Sequence, residues 1–306
     1  MGNTNNIIRL DSIDTYNKLY GLDTYNPLAT VIDLKQAKNV VNHVNIDYNV
    51  YAVFFKNEIS CKLRYGLQPY DYQDGTVVCF SPGQIIGIDS ENDEIRPDVV
   101  GVLFHPDLIY RTPLGDKISR YSFFDYSERE ALHLSGSEKA LFMECLDRIK
   151  REVEYPIDNH SSDVISSQIL VLLDYLARFY ERQFITRKKA NSAVISMFEK
   201  NLKEYYESGR GYEGIPTVSY FAELANLTPG YFGDLVKKGS GATAQEFIAN
   251  YVVLRAKHRL ASTNDDISII AYELGFQHPQ HFARLFKRIT KQSPTEFRKQ
   301  MQKRNQ

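Results

Sequence analysis

Between residues 280 and 288, five side chains able to bond a nucleic acid surround a stripe of three large apolar ones. Phe282, Leu285 and Phe286 recur at the i, i+3, i+4 spacing of a buried helical stripe. That leaves Gln280, His281, Arg284, Lys287 and Arg288 on the other sides of the helix. Gln can grip an adenine edge with two hydrogen bonds, and Arg can do the same for guanine. For base contact Arg284 ranks first, then Gln280 and His281. Lys287, Arg288 and Lys291 suit phosphates, which position a protein without specifying a sequence. Taken singly, each of these is as readily a solvated helix face.

Other chemistries find less support. Three cysteines, Cys61, Cys79 and Cys145, are too few and too scattered for a disulfide framework or a four-ligand zinc site. Of the seven histidines, none in the β-rich region forms a His-x-His pair, so His105 and His133 read as structural and no metal or other cofactor is expected. No G-x-S-x-G elbow, phosphate-binding loop or C-x-x-C occurs, which argues against the common enzyme classes. The expectation is a protein without a catalytic site. The amino-terminal stretch is too polar for a secretory signal, and no run approaches a membrane span of ~18 apolar residues. A cytoplasmic protein with no membrane partner is therefore expected.

A net charge of −1 conceals an asymmetry. Residues 216–306 hold 13 Lys and Arg against 7 Asp and Glu, a net of +6, whereas residues 1–215 hold 24 against 31. A basic end on an acidic body is a weak nucleic-acid footprint.

The elements that must position the basic end are legible by period. In the first half, 51–55, 61–65, 76–80, 85–88 and 99–104 are β-branched and aromatic runs separated by turn residues, as in an antiparallel sandwich or barrel. Weaker strand signals lie at 31–34 and 41–50. Helical periodicity begins at Ser135, where Ser135 and Glu138 form a capping box and Leu141, Phe142, Cys145, Leu146 and Ile149 share a face. Further helices are expected over about 162–187 and 192–208. Segment 208–216, with three Gly and a Pro, is the best domain boundary.

Beyond it a pattern repeats. Ala222-x-x-Ala225-x-Leu227, then Phe232, Leu235 and Val236, returns as Ala271-x-x-Leu274-x-Phe276, then Phe282, Leu285 and Phe286. The offset is 49 residues in the first helix and 50 in the second. In each copy a small residue lets two helices approach, a short turn follows, and Pro229 or Pro279 opens the next helix. A continuous helix from Thr243 to about Ser262 joins the copies, with Phe247, Ile248, Tyr251, Val252, Leu254 and Leu260 as its apolar face. Twenty residues at ~1.5 Å give ~30 Å, close to the ~34 Å between successive major grooves on one side of a duplex.

At these residues the sequence resembles the AraC/XylS family of bacterial transcription regulators. The family's signature is matched by Ile270-Ala271, Leu274-Gly275-Phe276, Phe282-x-x-x-Phe286-Lys287 and Ser293-Pro294-x-x-Phe297-Arg298, and the first copy matches over 216–241. Upstream, SPGQ, FHPDL, YSFF and EALHLS are similar to the sensor half of regulators common in the Bacteroidetes. The resemblance implies an α+β chain: a cupin-like antiparallel β domain over 1–134, covering helices over 135–210, and an all-helical domain with two helix-turn-helix units over 211–306. It implies double-stranded DNA as partner, a homodimer through the N-terminal half, and room there for a small-molecule effector near aromatics such as Tyr48, Tyr51 and Phe54. A cupin-type enzyme with an appended helical domain and a nonspecific DNA-architectural protein are the alternatives.

Three departures from the family carry expectations of their own. The first recognition helix has Gly230, Gly233 and Asp234 where base-reading side chains are usual, so its contacts are expected to be with backbone, through Thr228, Tyr231, Lys237 and Lys238. The usual Gly after the second recognition helix is Lys291-Gln292, which weakens that cap by some tenths of a kcal/mol. Arg259 replaces an apolar residue on the joining helix, and its stem is expected to reach out to solvent.

Overall fold

The computed structural model describes residues 7–41, 44–57, 64–65, 68–69, 75–88, 97–127, 130–186 and 188–304. The chain divides into two compact units, Met1–Thr186 and Arg187–Gln306.

In the first unit the elements are β1 (Ile7–Leu10), α1 (Ile13–Tyr20), β2 (Ala29–Asp33), β3 (Val44–Tyr48), β4 (Tyr51–Lys56), β5 (Arg64–Tyr65), β6 (Gln68–Pro69), β7 (Thr76–Phe80), β8 (Gln84–Ile88) and β9 (Val99–Phe104). Then come α2 (Pro106–Ile109), α3 (Pro113–Lys117), β10 (Leu132–His133), α4 (Gly136–Glu154) and α5 (Ser161–Thr186). One sheet has the order β1-β3-β8, a second has β10-β7-β4-β9-β2, and β5 pairs with β6. The expected antiparallel order holds for every pairing except β1 with β3, which is parallel, with Ile7 opposite Asn45 and Leu10 opposite Tyr48. A parallel neighbour requires a crossover, and α1 begins it; the capping of α1 by Ser12 and Gly21 escaped the period analysis because the helix has only eight residues. Of the expected strand at 61–65, residues 61–63 lie outside the described residues, as does His43.

Facing residues of both sheets meet α1 in one core. Ile32, Ile46, Phe54, Phe80 and Leu103 pack there with Ile13, Tyr16 and Tyr20. Tyr48 is 2% exposed and its ring lies 5.6 Å from that of Phe80, so Tyr48 and Phe54 serve as core rather than as a lining open to solvent. On the other side of the larger sheet α4 seats Phe142 against Phe55, ring centroids 5.7 Å apart. The capping box at Ser135 and Glu138 is present, and Arg182 of α5 clasps Glu138 at 2.6 Å. Leu141 is exposed, so the buried stripe of α4 starts at Phe142 instead. His105 caps α2 by accepting from the Asp107 backbone N–H, and buried His133 donates its backbone N–H to Gln183.

The second unit is α6 (Lys188–Glu207), α7 (Val218–Leu224), α8 (Pro229–Ser240), α9 (Ala244–Ser262), α10 (Ile267–Glu273), α11 (Pro279–Thr290) and α12 (Pro294–Arg304). The break between units precedes α6, upstream of the glycine-rich 208–216. The reason is packing: Phe198, Leu202, Tyr205 and Tyr206 of α6 are buried with Phe221, Phe232, Ile248 and Phe282 in a single core. The glycines interrupt a helix there without separating two cores.

The repeat extends further than the apolar residues suggested. Asn226 and Gly275, 49 apart, both take left-handed backbone, at φ +55° and +92°. The next N–H in each copy reaches back to Ala222 or Ala271, at 2.9 and 3.0 Å. Gly241 and Lys291, 50 apart, close α8 and α11 in left-handed conformation. Thr243 with Glu246 and Ser293 with Glu296 then form matching side-chain and backbone bonds at the starts of α9 and α12. The duplicated object is therefore three helices long, and the Thr-x-x-Glu and Ser-x-x-Glu spacings were its legible sign.

Lys291 stands at φ +64° where its counterpart is Gly241. A side chain in this region is strained, and glycine is not. Lys291→Gly is expected to stabilise the C-terminal unit by about 0.5–1 kcal/mol, read as a higher thermal midpoint. An unchanged or lower midpoint would contradict this origin of the strain.

Candidate nucleic-acid interface

On α11 only Phe282 and Phe286 are fully buried, with Leu285 partly so, while Gln280, His281, Arg284, Lys287 and Arg288 are all exposed. Two apolar anchors per three turns leave most of the helix circumference outside, which is how a twelve-residue helix carries a polar row. The rings of His278 and His281 meet edge to face at 5.4 Å, ordering the first turn.

The counterpart helix α8 is buried more widely. Tyr231, Phe232, Leu235 and Val236 all point inward, and Tyr231 is 0% exposed. Tyr231 therefore cannot touch DNA backbone as expected; the buried set takes i, i+1, i+4 and i+5, and the tyrosine ring completes the core. Thr228 caps the helix by accepting from the Tyr231 backbone N–H at 3.3 Å, and is partly exposed. Lys237 and Lys238 are exposed in the last turn. A β-carbon on Gly233 would meet nothing within 4 Å, so that part of α8 presents bare backbone.

Lys237 and Lys287 occupy equivalent positions, and each lies near the acid that opens the next helix. The carboxyls of Glu246 and Glu296 are held below the usual carboxylate range, first by the backbone N–H of Thr243 and Ser293, with the lysines adding attraction. Lysine and capping box thus form one local unit at the end of each outward helix.

The joining helix α9 has 19 residues, or ~28 Å at ~1.5 Å each. Its buried stripe is Ala244, Ile248, Val252, Val253, Ala256 and Leu260; Leu254, expected on that stripe, is 52% exposed. Arg259 stays partly exposed, with 38% of its side chain open to solvent, but it is not free. Its guanidinium bonds Asp265 and Glu273, both at 2.9 Å, tying α9 to α10. Arg298 of α12 adds a bond to the Asp265 carbonyl at 2.7 Å. Among the described residues no group of three or more His, Cys, Asp or Glu could hold a metal ion, and no helix is long and apolar enough to cross a membrane.

Two helix pairs of similar build share one core, and the second carries a polar and basic outer row. Residues 221–300 match the family described as a helix-turn-helix domain. The chain is similar to the HTH-type transcriptional activator RhaS of Enterobacter sp. (strain 638), 23% identical over 147 residues that cover 48% of this chain and 51% of that protein. It is also similar to the HTH-type transcriptional regulator YobQ of Bacillus subtilis (strain 168), 30% identical over 82 residues, 27% of this chain and 34% of YobQ. The chain thus spans about half the length, or less, of these relatives. Among solved structures, the C-terminal domain of the response regulator YesN from Fusobacterium nucleatum aligns at 25% identity and a TM-score of 0.29, covering 33% of this chain and 96% of that one.

Proposed function

We propose that the chain is a sequence-specific regulator of transcription of the AraC/XylS kind that binds double-stranded DNA through two helix-turn-helix units. The observation that carries this reading is the asymmetry of a repeat whose turns and helix C-terminal ends otherwise match. The same frame is built twice, and only its second copy displays Gln280, His281, Arg284, Lys287 and Arg288 outward. In this reading α11 enters a major groove, Arg284 reads guanine, Gln280 and His281 read neighbouring edges, and Lys287 and Arg288 hold phosphates. The first unit grips backbone through Thr228, Lys237 and Lys238. The ~28 Å of α9 is close to the ~34 Å between successive grooves, which supports this reading.

Selection of bound duplexes from a random library at fixed salt tests this directly. The wild type is expected to enrich one motif, and Arg284→Ala to lose a guanine from it, with affinity reduced by about 1–3 kcal/mol. Failure to enrich any motif, with binding that weakens steeply with salt, would leave only the backbone contribution. That outcome favours the architectural reading, which the bare surface at Gly233 supports.

The N-terminal unit is proposed to be the cupin-like, Bacteroidetes-type half that pairs two chains and takes a small-molecule effector. The similarity of SPGQ, FHPDL, YSFF and EALHLS supports that reading. An effector would act by shifting populations between states that differ in DNA affinity.

A further inference from the structure

The two helix pairs are joined by more than α9. Residues 209–215 leave the end of α6 and run against α10, upstream of the span that matches the helix-turn-helix family. Tyr205 donates its hydroxyl to the Gly214 carbonyl at 3.0 Å, and Tyr206 donates to the Leu274 carbonyl at 3.4 Å. Tyr212 donates to the Glu273 carboxylate at 3.1 Å, the same carboxylate that Arg259 holds. The fit leaves no slack. A β-carbon on Gly211 would stand 2.3 Å from the Glu273 backbone oxygen and 2.9 Å from the Tyr206 ring. The segment is also fastened to the first pair: the Arg210 guanidinium lies 5.2 Å from the ring centroids of both Tyr205 and Tyr220, and donates to the Tyr220 hydroxyl at 2.8 Å.

α9 sets the separation of the two pairs, and each pair can still tilt where its own packing on α9 yields. A second connection beside α9, with the Tyr206 ring against Tyr251 and Arg255, closes a frame and resists that tilt. We propose that residues 209–215, with Tyr206 and Gly211 as positioning residues, are this second spacer. They set where α10 and α11 stand relative to α7 and α8. They thereby set the interval along a duplex between the phosphates gripped by the first pair and the bases read by the second. The inference rests on the two-unit reading of function. It adds that specificity for spacing resides outside the matched domain, in side chains that never touch DNA.

The test uses the full chain with nitroxides on ketone-bearing amino acids placed at positions 223 and 299, both exposed and outside the interface. Distances are measured without DNA for wild type, Gly211→Ala and Tyr206→Phe. The phenylalanine variant keeps the ring and loses only the bond to Leu274, so it serves if the alanine variant fails to fold. One sharp distance is expected for wild type, and a shifted or broadened one, by a few ångström, for Tyr206→Phe with its thermal midpoint nearly kept. On a selected duplex, phosphate-ethylation interference should give two clusters about one helical turn apart. The variant should change their interval, or lose the first cluster, while still enriching the same α11 motif. An unchanged label distance, or two clusters weakened equally at an unchanged interval, overturns the proposal. Absence of DNA binding by the wild type would sink the functional reading instead, and the label distances would still decide whether the frame exists.

Discussion

A fragment comprising residues 216–306 should be largely unfolded, whereas one comprising 188–306 should melt cooperatively. The shorter fragment keeps the whole span that matches the helix-turn-helix family. It loses α6, whose Phe198 ring stands 4.8 Å from Phe221, 5.2 Å from Phe232 and 5.1 Å from Phe247, at the point where α7, α8 and α9 converge. Truncating one such phenylalanine costs about 3–5 kcal/mol, and a buried leucine such as Leu202 about 2–5. Tyr205 and Tyr206 are buried beside them. Together the losses at Phe198 and Leu202, about 5–10 kcal/mol, are comparable to the about 5–15 kcal/mol by which a domain is stable at all. Circular dichroism against temperature reads the result. A cooperative transition of the 216–306 fragment near that of the longer one would show that α6 is a covering helix only, and the core boundary would return to the glycine-rich segment.

That example also shows where the sequence was and was not legible. Period alone located α4, α5 and α6, since each has an apolar stripe over many turns. Period could not assign α6 to a unit, because an amphipathic face carries no address; Phe198 looks the same whichever core receives it. The repeat was visible through Ala222 and Ala271, where close packing limits residue choice. Its turns were less so, since Asn226 and Gly275 differ in type while sharing a left-handed backbone. The polar row of α11 followed from three apolar residues at helical spacing. Tyr231 failed the same argument because a tyrosine is both a plausible phosphate donor and a large core residue, and only the neighbouring helices decide between them. Arg259 was placed on the correct helix with its side chain partly in solvent, but its ion pairs were not foreseen. Its partners Asp265 and Glu273 lie in the turn before α10 and at the end of α10, so no local rule on α9 announces them. The parallel pairing of β1 with β3 was hidden for a related reason, as strand direction depends on the crossover between them.

Gly275→Ala should destabilise the C-terminal unit by about 2–4 kcal/mol, several times the cost of the same change at Gly241. Both glycines have positive φ, +92° and +78°, so both changes carry the conformational penalty of about 1 kcal/mol for alanine in that region. Their surroundings differ. Nothing lies within 4 Å of a β-carbon at Gly241, whereas one at Gly275 would stand 2.4 Å from the Gly214 carbonyl carbon and 2.5 Å from the Ile215 nitrogen. Those atoms are backbone and cannot rotate away, so the turn between α10 and α11 must separate from the crossing segment. Asn226 occupies the equivalent turn in the first copy at φ +55°, which shows that the backbone alone tolerates a side chain there. The requirement for glycine at 275 is therefore a requirement for contact between the turn and residues 214–215. Denaturant midpoints of the two variants separate the contributions: equal losses would mean that conformation alone sets the cost, and the crossing segment would then be a passive neighbour of the turn. A large excess for Gly275→Ala, with Gly241→Ala near 1 kcal/mol, would locate the constraint in the close approach of two backbone segments that a duplicated helix pair needs only once.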